Sequence, residues 1–296
     1  MKIKLFSVAL LFLMLGICCI SCEKDDDMAA EPMLIVKFKF DPTQARLNNQ
    51  GKISEVTVGN AAQTPELHAI SAHYLEFLQN ANTKIGEGAV LHQGNETKVG
   101  GKNAIDFNQA KIVGEGETFV AIPLRLIAKG DYEWVRLALG YQNSSIQVRN
   151  AGKDYTGTFS GFMGFDTYIS SFDIDNAIFN INGNRSAGYW AFKLDDNPYS
   201  TEGKAPENAT TVPNPIVKSL AANNSGMMSG RFSSKLHITG NETQHIIVTL
   251  SLSVNKSFEW QEIVKDGKYE PAMGESVIDM GLRGLKATFE TSCYID

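Results

Sequence analysis

Cysteine is almost absent where it could do structural work. Of the four cysteines, Cys18, Cys19 and Cys22 crowd the first 22 residues, and beyond them Cys293 stands alone. The rest of the chain therefore has no partner with which to close a disulfide, and its stability must come from a packed core. Hydrophobic residues make up 43% of the sequence and charged residues 20%, which is enough apolar material for such a core. No basic run is present, so nucleic acid is not expected as a partner. Catalytic signatures are missing too. The sequence holds no G-x-S-x-G elbow, no H-E-x-x-H, no phosphate-binding loop and no dinucleotide-binding glycine pattern, and no motif pairs its many carboxylates. The expectation is a binding protein, not an enzyme.

The one long apolar run lies at the start. Lys2 and Lys4 precede an apolar stretch over 5–20, which ends at Ser21-Cys22 and is followed by Glu23-Lys24-Asp25-Asp26-Asp27. A short run with a basic front and an acidic far flank is the layout of a secretory signal, not of a spanning helix. A small residue directly before a cysteine resembles the lipobox of bacterial lipoproteins, in which Cys22 becomes the acylated N-terminus. The acidic residues Glu23, Asp25, Asp26 and Asp27, with Lys24 among them, resemble an export tag for the outer face of the Gram-negative outer membrane. The resulting division is a signal peptide over 1–21, a lipidated tether over 22–33 and one domain over 34–296. Loss of the signal leaves 25 basic against 33 acidic side chains. An anionic membrane surface would not attract that balance, so acyl chains are the expected anchor.

The domain reads as strands and turns. Residues 34–40 (LIVKFKF) put Val36, Phe38 and Phe40 on one face and Lys37 and Lys39 on the other. Residues 53–58 (ISEVTV) alternate again. Residues 64–79 are ambiguous: Thr64-Pro65 could start a helix, whereas the surrounding strands favour a strand. Strands are expected over 118–128, 133–141, 145–149, within 156–169 and over 188–194. A hairpin turn is expected at Lys129-Gly130-Asp131, and Pro123 should lie at an edge or bulge. Residues 195–215, rich in proline, form a long loop. A second hairpin is expected between 229–238 and 244–254, with Ile246, Val248, Leu250, Leu252 and Val254 on one face. The tetrapeptide Gly-Asn-Glu-Thr occurs at 94–97 and at 240–243, and both copies read as turns. The fold class is all-β, a β-sandwich of roughly a dozen strands with long loops.

Ligand residues are harder to place. His68, His73, His92, His237 and His245 form no H-x-H pair, and a metal site would need the fold to bring them together. Trp134, Trp190 and Trp260 suit a core or strand rim better than a sugar platform. Residues 255–284 gather Glu262, Asp266, Glu270 and Glu275. Setting Gly267 at the glycine of a calcium loop leaves Val264 and Met273 at two main ligand positions. The reading there is a hairpin turned at Asp266-Gly267, with calcium held by Glu262, Asp266, Glu270 and Glu275 as the alternative.

Four segments together resemble the MbnP-like family of methanobactin-associated copper-binding lipoproteins. They are Phe40-Asp41 after the first strand, Ile70-Ser71-Ala72-His73-Tyr74-Leu75, Gly130-Asp131-Tyr132 leading to Leu137-Ala138-Leu139-Gly140, and Gly188-Tyr189-Trp190-Ala191-Phe192. The resemblance implies a β-sandwich and, for some members, copper, without matching a metal ligand to any position here. The expected function is a surface-exposed outer-membrane lipoprotein that binds a ligand. A metal ion, a glycan or another envelope protein are the classes left open, beside glycan cleavage or a purely structural role.

Overall fold

The computed structural model describes residues 31–216 and 226–293. The expected signal peptide, the expected acylation site at Cys22 and the expected tag over 23–27 lie outside the described residues. The compact unit that contains the domain begins at Glu31. No helix among the described residues is long and apolar enough to cross a membrane.

The fold is all-β. In chain order the strands are β1 (Met33–Asp41), β2 (Asn60–Gln63), β3 (Glu66–Leu78), β4 (Ala89–Gln93), β5 (Glu96–Thr97) and β6 (Ala104–Asp106). Then come β7 (Thr118–Pro123), β8 (Gly130–Asn150), β9 (Lys153–Phe162), β10 (Thr167–Ile174), β11 (Ala177–Arg185) and β12 (Tyr189–Leu194). The last are β13 (Ser200–Lys204), β14 (Met227–Ile238), β15 (His245–Ser253), β16 (Phe258–Gln261), β17 (Val277–Asp279) and β18 (Leu285–Ser292). The largest sheet runs β13-β12-β9-β8-β14-β18-β15-β1-β7, with β3 on the other side of β8 and β4 beyond β3. Two small sheets, β11-β10-β6-β5 and β17-β16-β2, complete the described fold.

The main core fills the space between β7-β1-β15-β18 and β4-β3-β8-β14. Val36 and Phe38 of β1 meet Val248 and Leu250 of β15 there, with Leu75 and Leu137 from the opposite layer. This is the sandwich that alternation in β1 and β15 predicts, since every second side chain points to one face. Strand β8 continues past this core. Its far half, with β9 and β12, is covered on one face by the Phe107, Phe162 and Phe172 cluster and on the other by Phe159, Phe258 and Trp260. Trp260 is fully buried, Trp190 packs against its cluster, and Trp134 lies half-buried under the Arg231 guanidinium, 5.2 Å from the ring centre.

The ambiguous stretch is strand β3 over 66–78, as the surrounding strands favour, because pairing with β4 and β8 on its two edges buries most of it. Other expectations need correction. Residues 53–58 form no strand; only Ile53 makes a bridge, to Leu47, and Val58 is fully exposed. The pattern alternates, but no neighbour offers its backbone a ladder. Strand β7 stops at Pro123, where a one-turn 3-10 segment over Leu124–Leu126 follows, and it pairs with β1, not β8. Glycine 130 therefore does not turn a hairpin. Pro123 does sit on the edge strand, where its missing N–H costs no ladder bond. The expected strands over 133–141 and 145–149 merge into β8. Strands β14 and β15 are no hairpin either, because β18 inserts between them. Within the 195–215 loop, residues 200–204 pair with β12 as β13.

Candidate functional site

A cavity of about 110 Å³ opens where β3, β4, β6 and β8 meet, lined among others by His73, His92, Asn95, Asp106, Lys111 and Tyr141. Its geometry begins with an irregularity in β3. Ala72 pairs with Leu139 and Tyr74 with Ala138, so His73 falls in a register shift and has no partner across the ladder. Such a bulge redirects one side chain out of the regular alternation. His73 is buried, its ring tilted against Phe165 with centroids 5.3 Å apart. Its Nε2 lies 3.2 Å from Glu96 Oε1, and its Nδ1, also shielded from water, has no hydrogen-bond partner.

The β4–β5 connection folds back over this ring. The Gly94 amide donates to the His73 carbonyl at 2.7 Å. A methyl group on Gly94 would stand 2.8 Å from His73 Nδ1, so only glycine fits there without the ring having to shift. Glu96, two residues on, also accepts from the Asn103 side chain. That bond, ahead of the His73 contact, holds the Glu96 carboxyl below its ordinary pKa against a smaller opposing effect of burial.

His92 enters from β4, opposite Leu75, with its ring edge-on to Phe119 at 4.8 Å. Burial pushes its pKa down, and His73 and Lys111 push it further, while a hydrogen bond with the Ala72 backbone works the other way. His92 is thus a neutral imidazole near pH 7. Two imidazoles face one small cavity, one of them with an orphaned buried nitrogen. Imidazole nitrogen suits copper, zinc, nickel and iron. Among the described residues no three His, Cys, Asp or Glu side chains converge, so the protein would supply two ligands and leave other positions to water or a small anion.

The remaining histidines stay apart from the cavity. His68 is exposed and bonds Ser145 Oγ at 2.7 Å, and exposed His237 bonds Asp131. Buried His245 accepts the Met33 amide at 3.0 Å and so fastens the start of β1.

The acidic stretch over 255–284 is arranged differently from its sequence reading. Strands β16 and β17 pair through Glu259–Asp279 and Trp260–Val277, so a long loop over 262–276 separates them and Asp266-Gly267 is not the turn between strands. Of that dipeptide only Gly267 has a positive φ, +74°. The reason is local: Glu275 is buried and accepts the amides of Ile263, Val264 and Glu270 at 2.9, 3.1 and 2.7 Å, which gathers the loop around one carboxylate. Glu262 accepts the Gly267 amide at 2.6 Å, and Asp266 is paired with Arg149 at 3.0 Å. The structure does not bring Glu262, Asp266, Glu270 and Glu275 to one point.

A second buried polar group ties loops together. Glu259 takes Arg46 and the side chain of Asn60, the latter at 2.6 Å, while Asp279 takes Arg283 at 2.8 Å and Arg46 at 3.4 Å. Burial raises Asp279 to about 6, with Arg283 the largest opposing influence. These carboxylates are spent on arginines and lie outside the cavity lining.

The residues that sequence reasoning missed are Gly94 and Glu96. They belong to the first Gly-Asn-Glu-Thr copy, and a hairpin pairing of β3 with β4 would have placed that copy beside His73. The second copy is a plain turn, in which Glu242 accepts the Thr239 amide at 2.5 Å and hydroxyl at 2.9 Å. No protein-family model, curated protein or solved structure matches the chain.

Proposed function

We propose that this protein is a lipid-anchored module of the outer membrane that binds a metal ion, copper foremost, in the His73–His92 cavity. The observation that carries this reading is the buried, unpartnered Nδ1 of His73 beside a neutral second imidazole. A buried polar atom without a partner is costly, and a ligand that accepts its lone pair removes the cost. His73 and His92 would hold the ion, and the lack of a side chain at Gly94 spares Nδ1 a clash. Copper would supply a centre that accepts imidazole nitrogen strongly, in keeping with the resemblance to MbnP-like lipoproteins. Among the described residues no thiol and no third His, Asp or Glu converges with these two imidazoles, which weighs against a closed structural zinc site. The acidic tag and Ser21-Cys22 support a position on the outer membrane, facing outward.

Residues 31–296, purified without the signal and the lipidation site, should take up one equivalent of copper in titration and mass spectrometry. His73→Ala and His92→Ala should each lose it. A domain that binds no metal, or that binds it unchanged in both variants, would overturn the reading. Cys22→Ala should separately release the full-length protein from the membrane fraction.

A further inference from the structure

The His73 ring has two nitrogens and two very different surroundings. Nε2 faces the Glu96 carboxylate at 3.2 Å, and Nδ1 lies buried close beside Gly94 without a hydrogen-bond partner. An ionised carboxylate only accepts hydrogen bonds, so the proton of a neutral His73 belongs on Nε2 and the lone pair on Nδ1. From this arrangement we infer that Glu96 is the positioning residue of the site, fixing His73 in the tautomer and orientation that leave Nδ1 to bind the ion. The inference rests on the metal-binding reading given above.

Three features make Glu96 more than a surface ion pair. Its second oxygen is held by Asn103, so the carboxylate is itself oriented. Its backbone is fixed by the β5–β6 pair Glu96–Ile105, next to Asn95, whose carbonyl accepts the Asp106 amide at 2.9 Å. The ring it contacts cannot swing freely, because Phe165 packs against it and Gly94 covers its backbone. A partly exposed Glu–His contact adds little stability by itself. Its effect is orientation: a carboxylate behind a ligating histidine sets which nitrogen binds, and its loss commonly lowers metal affinity 10- to 100-fold.

Two measurements on residues 31–296 test this. In the metal-free domain, long-range ¹⁵N–¹H NMR should find His73 protonated on Nε2, and Glu96→Ala should convert it to a mixture of tautomers. In copper titrations Glu96→Ala should still bind one equivalent but about 10- to 100-fold more weakly. Glu96→Gln, whose carbonyl can still accept from Nε2, should fall between alanine and wild type. Thermal melts within a few degrees of wild type would show that both variants fold. A wild-type His73 protonated on Nδ1, or a Glu96→Ala variant with unchanged copper affinity, overturns the inference while leaving the metal site standing. A wild type that binds no copper overturns the site and the inference together.

Discussion

Glu76 of β3 and Arg136 of β8 sit directly opposite each other in the ladder and form an ion pair at 2.5 Å, with both side chains withdrawn from water. The pair also fastens the loop between β3 and β4. Glu76 accepts the amides of Gly86 and Gly88 at 3.0 and 2.7 Å, and Arg136 donates to the Thr83 carbonyl at 2.9 Å. Removing one partner strands the other charge inside the protein. Arg136→Met should therefore cost about 3–5 kcal/mol in urea denaturation. Glu76→Leu combined with Arg136→Met should recover part of that loss. It should not recover all of it, because two loop amides lose their acceptor, at about 1–3 kcal/mol each. A single variant within about 1 kcal/mol of wild type would mean that water reaches the pair.

Leu250 lies on the central strand β15, between Phe38 of β1 and Ala287 of β18, and is completely buried. Leu250→Ala should cost about 2–5 kcal/mol, because close-packed neighbours only partly fill the space left. Equilibrium unfolding monitored by tryptophan fluorescence gives the value directly.

Asp279 sets a pH dependence of unusual sign. Its folded pKa, about 6, lies above the ordinary 3.8, so in that window the folded state holds a proton that the unfolded chain has released. The stability it contributes is full in acid and is lost as pH rises from about 4 to about 6. The loss is at most about 3 kcal/mol for a shift of this size. Asp279→Asn cannot titrate, so wild type should lose ground to this variant across that window and run parallel to it above. A stability difference that stays constant from pH 4 to pH 7 would show that Asp279 does not hold the proton.

Gly94 offers a way to crowd the cavity without replacing a ligand. Its φ is not in the left-handed region, so alanine can adopt its backbone. The added methyl would stand 2.8 Å from His73 Nδ1. Gly94→Ala should weaken copper binding at least tenfold and cost about 1–3 kcal/mol, because the packed His73 ring must give way. Unchanged copper affinity in this variant would place the ion elsewhere.

Sequence periodicity revealed the parts of the fold that a single strand can announce. Ile246, Val248, Leu250, Leu252 and Val254 alternate because one face of β15 packs into the core, and all five are buried. Pairing was less legible. Nothing near β14 or β15 says that β18, about 40 residues further on, will separate them, since ladders join backbones whatever their spacing in the chain. The stretch 66–78 carries a helix-like pattern because its register shifts break the period of two, and one of those shifts aims His73 into the cavity. The site was hidden for the same reason. His73, His92 and Glu96 share no motif spacing; β3 and β4 must pair before they meet. The four carboxylates over 262–276 were conspicuous in sequence, yet Glu262 and Glu275 are spent on amides of their own loop and Asp266 on Arg149.

The pairing of β1 with β15 has a consequence for how the chain matures. Met33 and His245 are bonded although 212 positions separate them, and the eight-residue parallel ladder that begins beside them spans a similar distance. A chain that emerges N-terminus first presents its apolar first strand long before the matching strand exists. Loop closure over such distances is slow, and an unpaired hydrophobic strand is open to association with other chains in the meantime. Lys37 and Lys39, which point away from the core, put charge on this strand of the kind that would hinder such association until β15 arrives. Replacing them would leave the finished domain intact and burden its assembly.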